Sequence, residues 1–444
     1  MARIAPFRGV FYNQNKIKDL SKVIAPPYDV ISREDQEKLY RKSPHNFVRL
    51  DLSQEPDSYN AVAQLFQDWQ AQGVFVRDET PAIYFLTHRF TLKDGEEKVR
   101  QGFFALSRLE DFSSGVIRPH EKTLDAPKED RLRLMLASHA QLSPIFALYA
   151  QPKQTINRLL AAAVEGVAPF LEVTQDNGDV CNLWRIVDEE FIKKLQQEMD
   201  DRTLLIADGH HRYEATLNYR NQMRDQHPQH TGREAFNYVM IYFANMNDDN
   251  VVILPTHRLV RGYVAQSFLQ LEETLRKFLY LEQYPKTAEG KGWFLKALKS
   301  GGQKQRLIGA SFKRDPRYLI LRLKNKRIMQ RMVKDLSASL RELDVTTLHL
   351  LILEHILGLS PEQQVNAENI RYSQDEESVL QALEKEDFQA AFILNPPKKD
   401  DILAITDNGE KMPQKSTYFY PKLISGLVVN KIDPKEEIQD LSGN

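Results

Sequence analysis

Cysteine is almost absent from this sequence of 444 residues, because Cys181 is the only one. A single cysteine cannot form an internal disulfide, and such usage is typical of a reducing compartment. The neighbouring residues Asn182 and Trp184 offer no base that would activate the thiol. We therefore interpret Cys181 as a packing residue, and a disulfide-stabilised fold is excluded.

Long apolar runs and an excess of one charge are missing as well. No run approaches the length of a membrane span, and the first residues lack the apolar core of a signal peptide. We therefore expect a cytoplasmic protein without a membrane partner. The 60 basic and 61 acidic residues give a net charge of −1. Broad nucleic-acid binding depends on a basic surplus, so we do not expect nucleic acid as a partner.

Four common signatures of catalytic and binding sites do not occur. The sequence has neither the Gly-x-x-x-x-Gly-Lys-Ser/Thr loop nor the Gly-x-Gly-x-x-Gly fingerprint, both of which cradle nucleotide phosphates. It also lacks the His-Glu-x-x-His and Cys-x-x-Cys pairs that bind zinc. If the protein handles phosphate, it does so outside the usual loop-based schemes.

Helix-like and strand-like patterns alternate along the whole chain, which predicts an α/β fold. Residues 83–92 and 98–107 are predicted strands joined by a hairpin at Asp94-Gly95, so the sheet should be mixed rather than purely parallel. Residues 46–52 are also predicted as a strand. The length allows two or three domains, and we place a catalytic domain at 1–260 and a C-terminal α/β domain at 261–444.

The most informative segment is Ala-Asp-Gly-His-His-Arg at 207–212. The apolar run 204–207 predicts a buried strand, Asp208 and Gly209 a turn, and residues 214–219 a helix. Such a turn directs free backbone N–H groups and the positive end of the helix dipole at one point. Further donors come from the side chains of His210, His211 and Arg212. This arrangement predicts an anion site, most simply one for phosphate.

Two other interpretations of this segment remain open. Asp208 also fits a plain helix cap, because aspartate is common at that position. Paired histidines occur as surface residues or as metal ligands. Since adjacent positions on a helix do not face each other, His210 and His211 are not expected to share one metal ion.

Two prolines before Tyr28 and Asp29 form a stiff loop that presents a carboxylate, although Ser32 simply caps the following helix. In the segment 118–123, His120 or Glu121 fits a general base, and Arg118 or Lys122 fits a group that balances phosphate charge. The alternative for this charge-rich segment is a solvated loop.

Two later segments carry further donors. His257 and Arg258 follow a strand end and could reach the same anion. Lys415 lies in a polar and aromatic segment that either closes a pocket or packs the C-terminal strands. We assign all three to donor binding.

Taken together, these segments resemble a large family of bacterial and archaeal proteins long catalogued as of unknown function. The matching pieces are Ala-Pro-Pro-Tyr-Asp-Val-Ile-Ser at 25–32, Asn-Phe-Val-Arg-Leu-Asp at 46–51, His-Glu-Lys-Thr at 120–123, Ala-Asp-Gly-His-His-Arg-Tyr-Glu at 207–214, Leu-Pro-Thr-His-Arg at 254–258 and Lys-Ser-Thr-Tyr-Phe-Tyr-Pro-Lys at 415–422. The resemblance therefore extends over nearly the whole chain.

The Asp-Gly-His-His-Arg piece also resembles the signature of the free L-serine kinases, which have a ParB/sulfiredoxin-like fold. The resemblance implies transfer of a phosphoryl group to free L-serine, with ATP, ADP or pyrophosphate as donor and Mg²⁺ as the expected metal. Asp208 would hold Mg²⁺ or the substrate hydroxyl. The phosphoryl groups would be held by Gly209, His210, His211 and Arg212.

The remaining assignments rest on the chemistry of the side chains and not on positions matched to the related kinases. The related kinases use a glutamate as base, and no position here matches it clearly, so Glu121 is our choice and Asp29 the substitute. Tyr28, Arg118 and Thr123 are expected at the substrate, and a homodimer is a possible assembly. Sulfiredoxin-type reduction needs a cysteine in the signature, which this chain lacks. The alternative functions are a non-catalytic nucleotide-binding ParB-like regulator and a phosphate-ester hydrolase.

Overall fold

The computed structural model describes residues 2–264 and 267–439. The strands are β1 (Ile4–Ala5), β2 (Gly9–Tyr12), β3 (Phe75–Arg77), β4 (Ile83–Thr91), β5 (Glu97–Arg108), β6 (Ile117–Pro119), β7 (Ala140–Gln141), β8 (Ile145–Tyr149), β9 (Leu171–Thr174), β10 (Val180–Ile186), β11 (Leu204–Asp208), β12 (Tyr238–Asn245), β13 (Val252–Leu254), β14 (His257–Val260), β15 (Leu279–Pro285), β16 (Ile308–Phe312), β17 (Arg317–Leu323), β18 (Ile370–Ser373), β19 (Ala390–Leu394), β20 (Tyr418–Tyr420) and β21 (Val429–Lys431).

Helices alternate with these strands. The α-helices are α1 (Arg33–Lys42), α2 (Val48–Asp51), α3 (Ser58–Ala71), α4 (Asp125–Ser138), α5 (Thr155–Ala163), α6 (Glu189–Asp200), α7 (His210–Gln226), α8 (Phe268–Phe278), α9 (Ala288–Gly302), α10 (Arg327–Met332), α11 (Ala338–Arg341), α12 (Asp344–Thr346), α13 (Pro361–Val365), α14 (Glu376–Lys385) and α15 (Lys399–Asp407). Short 3₁₀ turns and a π-helix at Thr347–Ile356 complete the secondary structure. The predicted α/β class with a mixed sheet is confirmed.

The chain forms two compact units. The first holds residues 2–119, 123–252 and 421–439 of the described chain, and the second holds 120–122 and 253–420. Compared with the predicted ranges 1–260 and 261–444, residues 253–260 group with the second unit and 421–439 with the first. The chain thus leaves the first unit and returns to it at the end.

The first unit is built on a large sheet with the strand order β6-β11-β8-β12-β5-β4-β10-β9, and β1 pairs with β5. The pairs β6/β11 and β8/β12 are parallel, and the other neighbours are antiparallel. Apolar side chains of the sheet pack with α5, α6 and α7 in one core that includes Phe103, Phe243 and Tyr213. This packing fixes β11 and α7, which carry the candidate site.

A second, smaller sheet in the first unit has the order β3-β2-β21-β7. β21 lies between β2 and β7, with Asn430 opposite Gly9 on one side and opposite Gln141 on the other. Strand β21 is therefore an interior strand of this sheet.

The second unit contains an antiparallel sheet with the order β15-β17-β16-β19-β14-β18. Its core includes Phe294, Tyr318 and Leu383. Within the described residues, none of the helices in either unit is sufficiently long and apolar to cross a lipid bilayer.

One predicted element is wrong: the segment 46–52 is not a strand but contains the helix α2, Val48–Asp51. The Asn46 side chain donates to the carbonyls of Lys22 and Ile24 and accepts from the Val48 N–H, which bends the chain into a helical turn. A short apolar run fits a buried helix or a buried strand equally well, so periodicity could not separate the two.

Candidate functional site

The predicted strand–turn–helix around Asp208 is present in the first unit. Residues Leu204–Asp208 form β11, Gly209 has a left-handed conformation with φ of 92°, and α7 begins directly at His210. The helix therefore starts four residues earlier than the predicted 214–219. The first intrahelical bond runs from the Tyr213 N–H to the Gly209 carbonyl. The preceding N–H groups thus lie at the positive end of the helix dipole.

Asp208 is held between two cations. Its carboxylate forms ion pairs with the Arg212 guanidinium and the Lys422 ammonium, and the three side chains are only 11–14% exposed. Burial by itself would raise the pKa of Asp208, but the charges of Lys422 and Arg212 lower it well below its usual range. At neutral pH this cluster consequently carries two fixed positive charges and one negative charge.

Arg212 is folded against the turn itself. A Cβ atom built on Gly209 would lie 3.1 Å from Cζ of Arg212, and the guanidinium also donates to the Pro144 carbonyl. Glycine is therefore required at 209 for two reasons: the positive φ and the close approach of Arg212. Arginine has five N–H donors, so donors remain beyond those given to Asp208 and Pro144.

Tyr28 and Arg131 form the next layer of this site. The Arg131 guanidinium lies 4.1 Å from the centre of the Tyr28 ring, and burial raises the pKa of Tyr28 to about 12, against the opposing charge of Arg212. Tyr28, Arg131 and Arg212 line a small cavity of about 40 Å³. The neighbouring Asp29 is solvent-exposed and lies within electrostatic range of Arg212.

Asp51 lies at the same cavity and is buried. The Ser143 hydroxyl donates to both carboxylate oxygens at 3.1 and 3.2 Å and contacts the Ser425 hydroxyl at 3.0 Å. Burial raises the pKa of Asp51, and the Arg131 charge opposes this shift. Ser425 also pairs its backbone with Ala25, which ties the loop of Tyr28 to the segment before β21.

His211 and Thr123 are bound to protein groups. The Leu124 N–H donates to Nε2 of His211 at 2.9 Å, and the Thr123 hydroxyl donates to the Glu214 carboxylate at 2.8 Å. The Lys128 ammonium lies 3.2 Å from the same carboxylate. These contacts attach the start of α4 to the first turns of α7. His210 is buried beside Asp208 and contributes to its low pKa.

Arg118 is part of β6, which runs parallel to β11. Its Nε donates at 3.2 Å to the carbonyl of Gly115, which lies two residues before the start of β6. Its predicted contact with the substrate stays a prediction.

His120 and Glu121 belong to the second unit. Nε2 of His120 lies 2.6 Å from the Thr417 hydroxyl, and the ring is fully buried against Phe419. Glu121 forms an isolated bridge with Met412. Both residues are therefore fixed by the segment 412–419.

His257, Arg258 and Lys415 lie in the second unit as well. Nδ1 of His257 accepts from the Leu394 N–H at 3.2 Å. The buried Arg258 guanidinium donates to the carbonyls of Thr256 and Lys415, whereas the Lys415 side chain is exposed. Arg258 thus supports the backbone around Lys415, and the donor-binding roles of these residues stay predictions.

The sequence matches a known protein family. It matches the family described as "Protein of unknown function (DUF1015)" over residues 4–346, which is more than half of the chain. The protein belongs to this family. None of the curated proteins matches the sequence.

Several solved structures resemble the fold of this DUF1015 protein. A free serine kinase in complex with AMP has a TM-score of 0.37 and 13% identity, covering 75% of this chain and 93% of that chain. A conserved hypothetical protein from Pyrococcus furiosus has a TM-score of 0.32 and 13% identity, covering 76% and 95%. SbnI with a C-terminal truncation, from Staphylococcus aureus, has a TM-score of 0.34 and 12% identity, covering 72% and 85%.

A metal ion held by Asp208 does not fit this DUF1015 protein as it stands. Both oxygens of the Asp208 carboxylate are ion-paired, one with Lys422 and the other with Arg212. In the part of the chain that the structure describes, no group of three His, Cys, Asp or Glu side chains could hold a metal ion. A carboxylate that remains available to a metal is the exposed Asp29.

Sequence reasoning missed Asp51, Arg131 and Lys422, although each lies in or beside a segment it had singled out. Asp51 and Lys422 are the last residues of two matching segments, 46–51 and 415–422. The feature that could have identified Asp51 and Lys422 is a charged residue at the end of an apolar or aromatic segment. Only the fold brings these segments to Asp208, so spacing along the chain could not pair them.

Proposed function

We propose that this protein is a small-molecule kinase that phosphorylates free L-serine, with ATP, ADP or pyrophosphate as donor. The observation that supports it most directly is the cluster of Asp208, Arg212 and Lys422 at the N-terminus of α7. Phosphoryl transfer depends mainly on positioning and on neutralising the charge of the phosphoryl oxygens. Two cations held in place by one carboxylate at a helix N-terminus suit that task.

In this proposal the residues have separate roles. Arg212, Lys422 and the N–H groups of His210 and His211 bind the phosphates of the donor. Tyr28 and Arg131 line the cavity that receives the polar end of serine. Asp208 acts as a positioning residue, because it aligns both cations and is kept ionised by them. Mg²⁺, if used, would be bound by the donor phosphates rather than by Asp208, because both oxygens of that carboxylate are ion-paired.

The proposed step balances as follows. The hydroxyl oxygen of serine attacks the terminal phosphorus of the donor, and the bond from that phosphorus to the bridging oxygen breaks. Its electron pair leaves with AMP, ADP or phosphate, according to the donor. A carboxylate takes the hydroxyl proton. Asp29 is favoured for this role because it is exposed and within electrostatic range of Arg212, and Glu121 remains the alternative.

The direct test offers purified protein L-serine with each donor separately, in the presence of Mg²⁺, and measures O-phosphoserine by mass spectrometry. We expect serine-dependent product with at least one donor. Phosphate release without serine would instead indicate the phosphate-ester hydrolase. Nucleotide binding without turnover would indicate the regulator. Either result would contradict the kinase.

Variants locate the site. Arg212→Ala is expected to lower kcat/KM for the donor by about a hundredfold or more, the range seen when one charge-stabilising donor is removed. Arg133→Ala is the matched control, because Arg133 also pairs with a carboxylate at i,i+4 but is exposed.

Asp29→Asn and Glu121→Gln separate the two candidate bases, since loss of the true base should cost about 10²–10⁴ in rate.

A further inference from the structure

The second unit contains a cavity that shares no residue with the site around Asp208. Its volume is about 450 Å³, within the range of small-ligand sites. β15, β16 and β17 form one part of its lining, and α10, α11 and the start of the π-helix form another. Neither the sequence patterns nor the proposed kinase site accounts for it.

Basic residues dominate the polar lining of this cavity. The six cations are Lys304, Arg306, Arg322, Lys326, Arg341 and Lys398, against the two carboxylates Glu342 and Asp344. Arg306 is paired with Asp401, and Lys326 is paired with Glu342, each at 2.7 Å.

The other four cations are not neutralised in this way. Lys304, Arg322, Arg341 and Lys398 have no carboxylate partner within residues 2–264 and 267–439. The remaining acid, Asp344, is buried, and burial raises its pKa to about 6. Even with both carboxylates charged, the six cations outnumber them. The cavity therefore has a clear surplus of positive charge.

Apolar side chains form another part of the lining, together with the neutral polar residues Gln305, Gln330 and Thr347. Leu279, Ile308, Leu321 and Met329 are at most 3% exposed, and the more accessible Leu323 and Ala338 add apolar surface. An inorganic ion would use only the cations and leave the apolar part of the lining uncovered. A ligand that covers both parts gains from burial of its apolar area as well as from charge pairing.

The geometry points to a binding site in the second unit for a small organic anion that carries at least two negative charges and an apolar or aromatic portion. The cations bind the anionic group, and Leu279, Ile308, Leu321 and Met329 contact the apolar portion. This assignment is independent of the kinase proposal.

1-Naphthyl phosphate is a suitable probe, because it joins a dianionic phosphate to an apolar ring of fitting size. Isothermal titration of the full chain should show saturable binding. Inorganic phosphate and neutral 1-naphthol should each bind at least tenfold more weakly, since each lacks one half of the recognised chemistry. Equal binding of 1-naphthol, or no binding of the phosphate ester at millimolar concentration, would overturn the proposal.

The variant Lys304→Gln/Lys398→Gln removes two exposed cations that have no carboxylate partner in the described residues, and it is expected to weaken binding at least tenfold. Lys296→Gln/Lys299→Gln is the matched control, because both lysines are exposed on α9 and do not line the cavity. The Arg212→Ala variant should retain binding, which separates this site from the one proposed for the kinase. Unchanged affinity in the cavity variant would contradict the assignment.

Met329 reports where the ligand binds. In protein labelled with ¹³C at the methionine methyl groups, the Met329 signal, assigned with Met329→Leu, should shift during the titration. The signal of Met223, which is buried in the first unit, should stay in place. Binding without a shift at Met329 would refute the location.

Discussion

The buried Asp208 carboxylate is neutralised by two cations, and those cations in turn need its negative charge. The carboxylate separates the Arg212 guanidinium from the Lys422 ammonium, so the two buried cations do not face each other unshielded. Removing one member of such a buried group leaves an uncompensated charge, which costs more than the net value of the pair. At the scale of single residues, the candidate site is therefore stabilised by the same charges that we assign to phosphate binding.

We expect Asp208→Asn to lower the free energy of unfolding by about 3 kcal/mol at pH 7. The folded-state pKa of Asp208 lies below its unfolded value. Its contribution is therefore complete above about pH 4–5 and is lost as the pH falls through the folded-state pKa. Chemical unfolding of both proteins should thus show a stability gap that is constant from pH 7 to 5 and shrinks below pH 4.

The matched control for this pH series is Asp125→Asn. The pKa of Asp125 is also lowered, by Lys128, but this carboxylate is fully exposed. Exposed ion pairs add little to stability, so the control should leave the unfolding curve unchanged. An Asp208→Asn gap that grows in acid would contradict the assigned pKa direction.

Gly209→Ala tests the close approach of Arg212. The added methyl meets the guanidinium at 3.1 Å and also strains a backbone with φ of 92°. Gly178→Ala has the same backbone strain at φ of 87° but meets no atom within 4 Å. We expect each to cost about 1–2 kcal/mol in stability. Only Gly209→Ala should reduce donor-dependent activity; equal loss in both would count against a role for the Arg212 position.

At the scale of elements, α7 organises the first unit around its N-terminus. It follows β11 through one glycine, and its first two turns bind the segment before α4 through His211 and Glu214. The sequence predicts that His211 binds the donor, and it gives no role to Glu214. In the structure both side chains bind the segment before α4. The N-terminus of α7 can therefore face a ligand while side chains of its first turns hold the neighbouring segment in place.

Much of this element-scale architecture could be predicted from the sequence, and the exceptions have physical causes. The β11–Gly209–α7 unit follows from an apolar run, a glycine and a helical pattern, which are local signals. α2 was mistaken for a strand because the Asn46 side chain, bonded to two distant carbonyls, decides its conformation. The pairing of Asp208 with Lys422 spans 214 residues, so no local pattern encodes it.

His211→Ala is expected to loosen the start of α4. The Leu124 N–H loses its acceptor, so its amide exchange in the native state should become faster by about tenfold, equivalent to about 1.4 kcal/mol. His211→Gln offers another acceptor and should restore much of the protection. Hydrogen exchange followed by mass spectrometry of the peptide around Leu124 measures both. Unchanged exchange in the alanine variant would show that this bond does not hold α4.

On the scale of the whole molecule, the first unit is discontinuous in sequence. The second unit occupies residues 253–420, and the chain then returns to supply β21 and Lys422. Farther along, Glu436 accepts from Arg8 and from Arg77, which fixes the segment after β21. The integrity of the first unit therefore depends on residues that come last.

A chain that ends at Tyr420 should lose cooperative unfolding of the first unit. The small sheet would lose its interior strand, which leaves unpaired edges on β2 and β7. A chain that ends at Gln439 keeps all these contacts and is the control. Thermal unfolding by circular dichroism, with amide exchange at Val10 of β2, distinguishes the two. Native-like protection of Val10 in the shorter chain would contradict this dependence.

The late position of Lys422 has a consequence during synthesis. A nascent chain exposes the Asp208 turn long before the lysine that completes it leaves the ribosome, while domains otherwise begin to fold as they emerge. Until then the carboxylate lacks its ion pair with Lys422 and keeps the one with Arg212, and the small sheet has a gap at its centre. A polypeptide that lacks Lys422 and β21 is consequently expected to be inert toward phosphate donors, and activity should arise once these residues have emerged and paired.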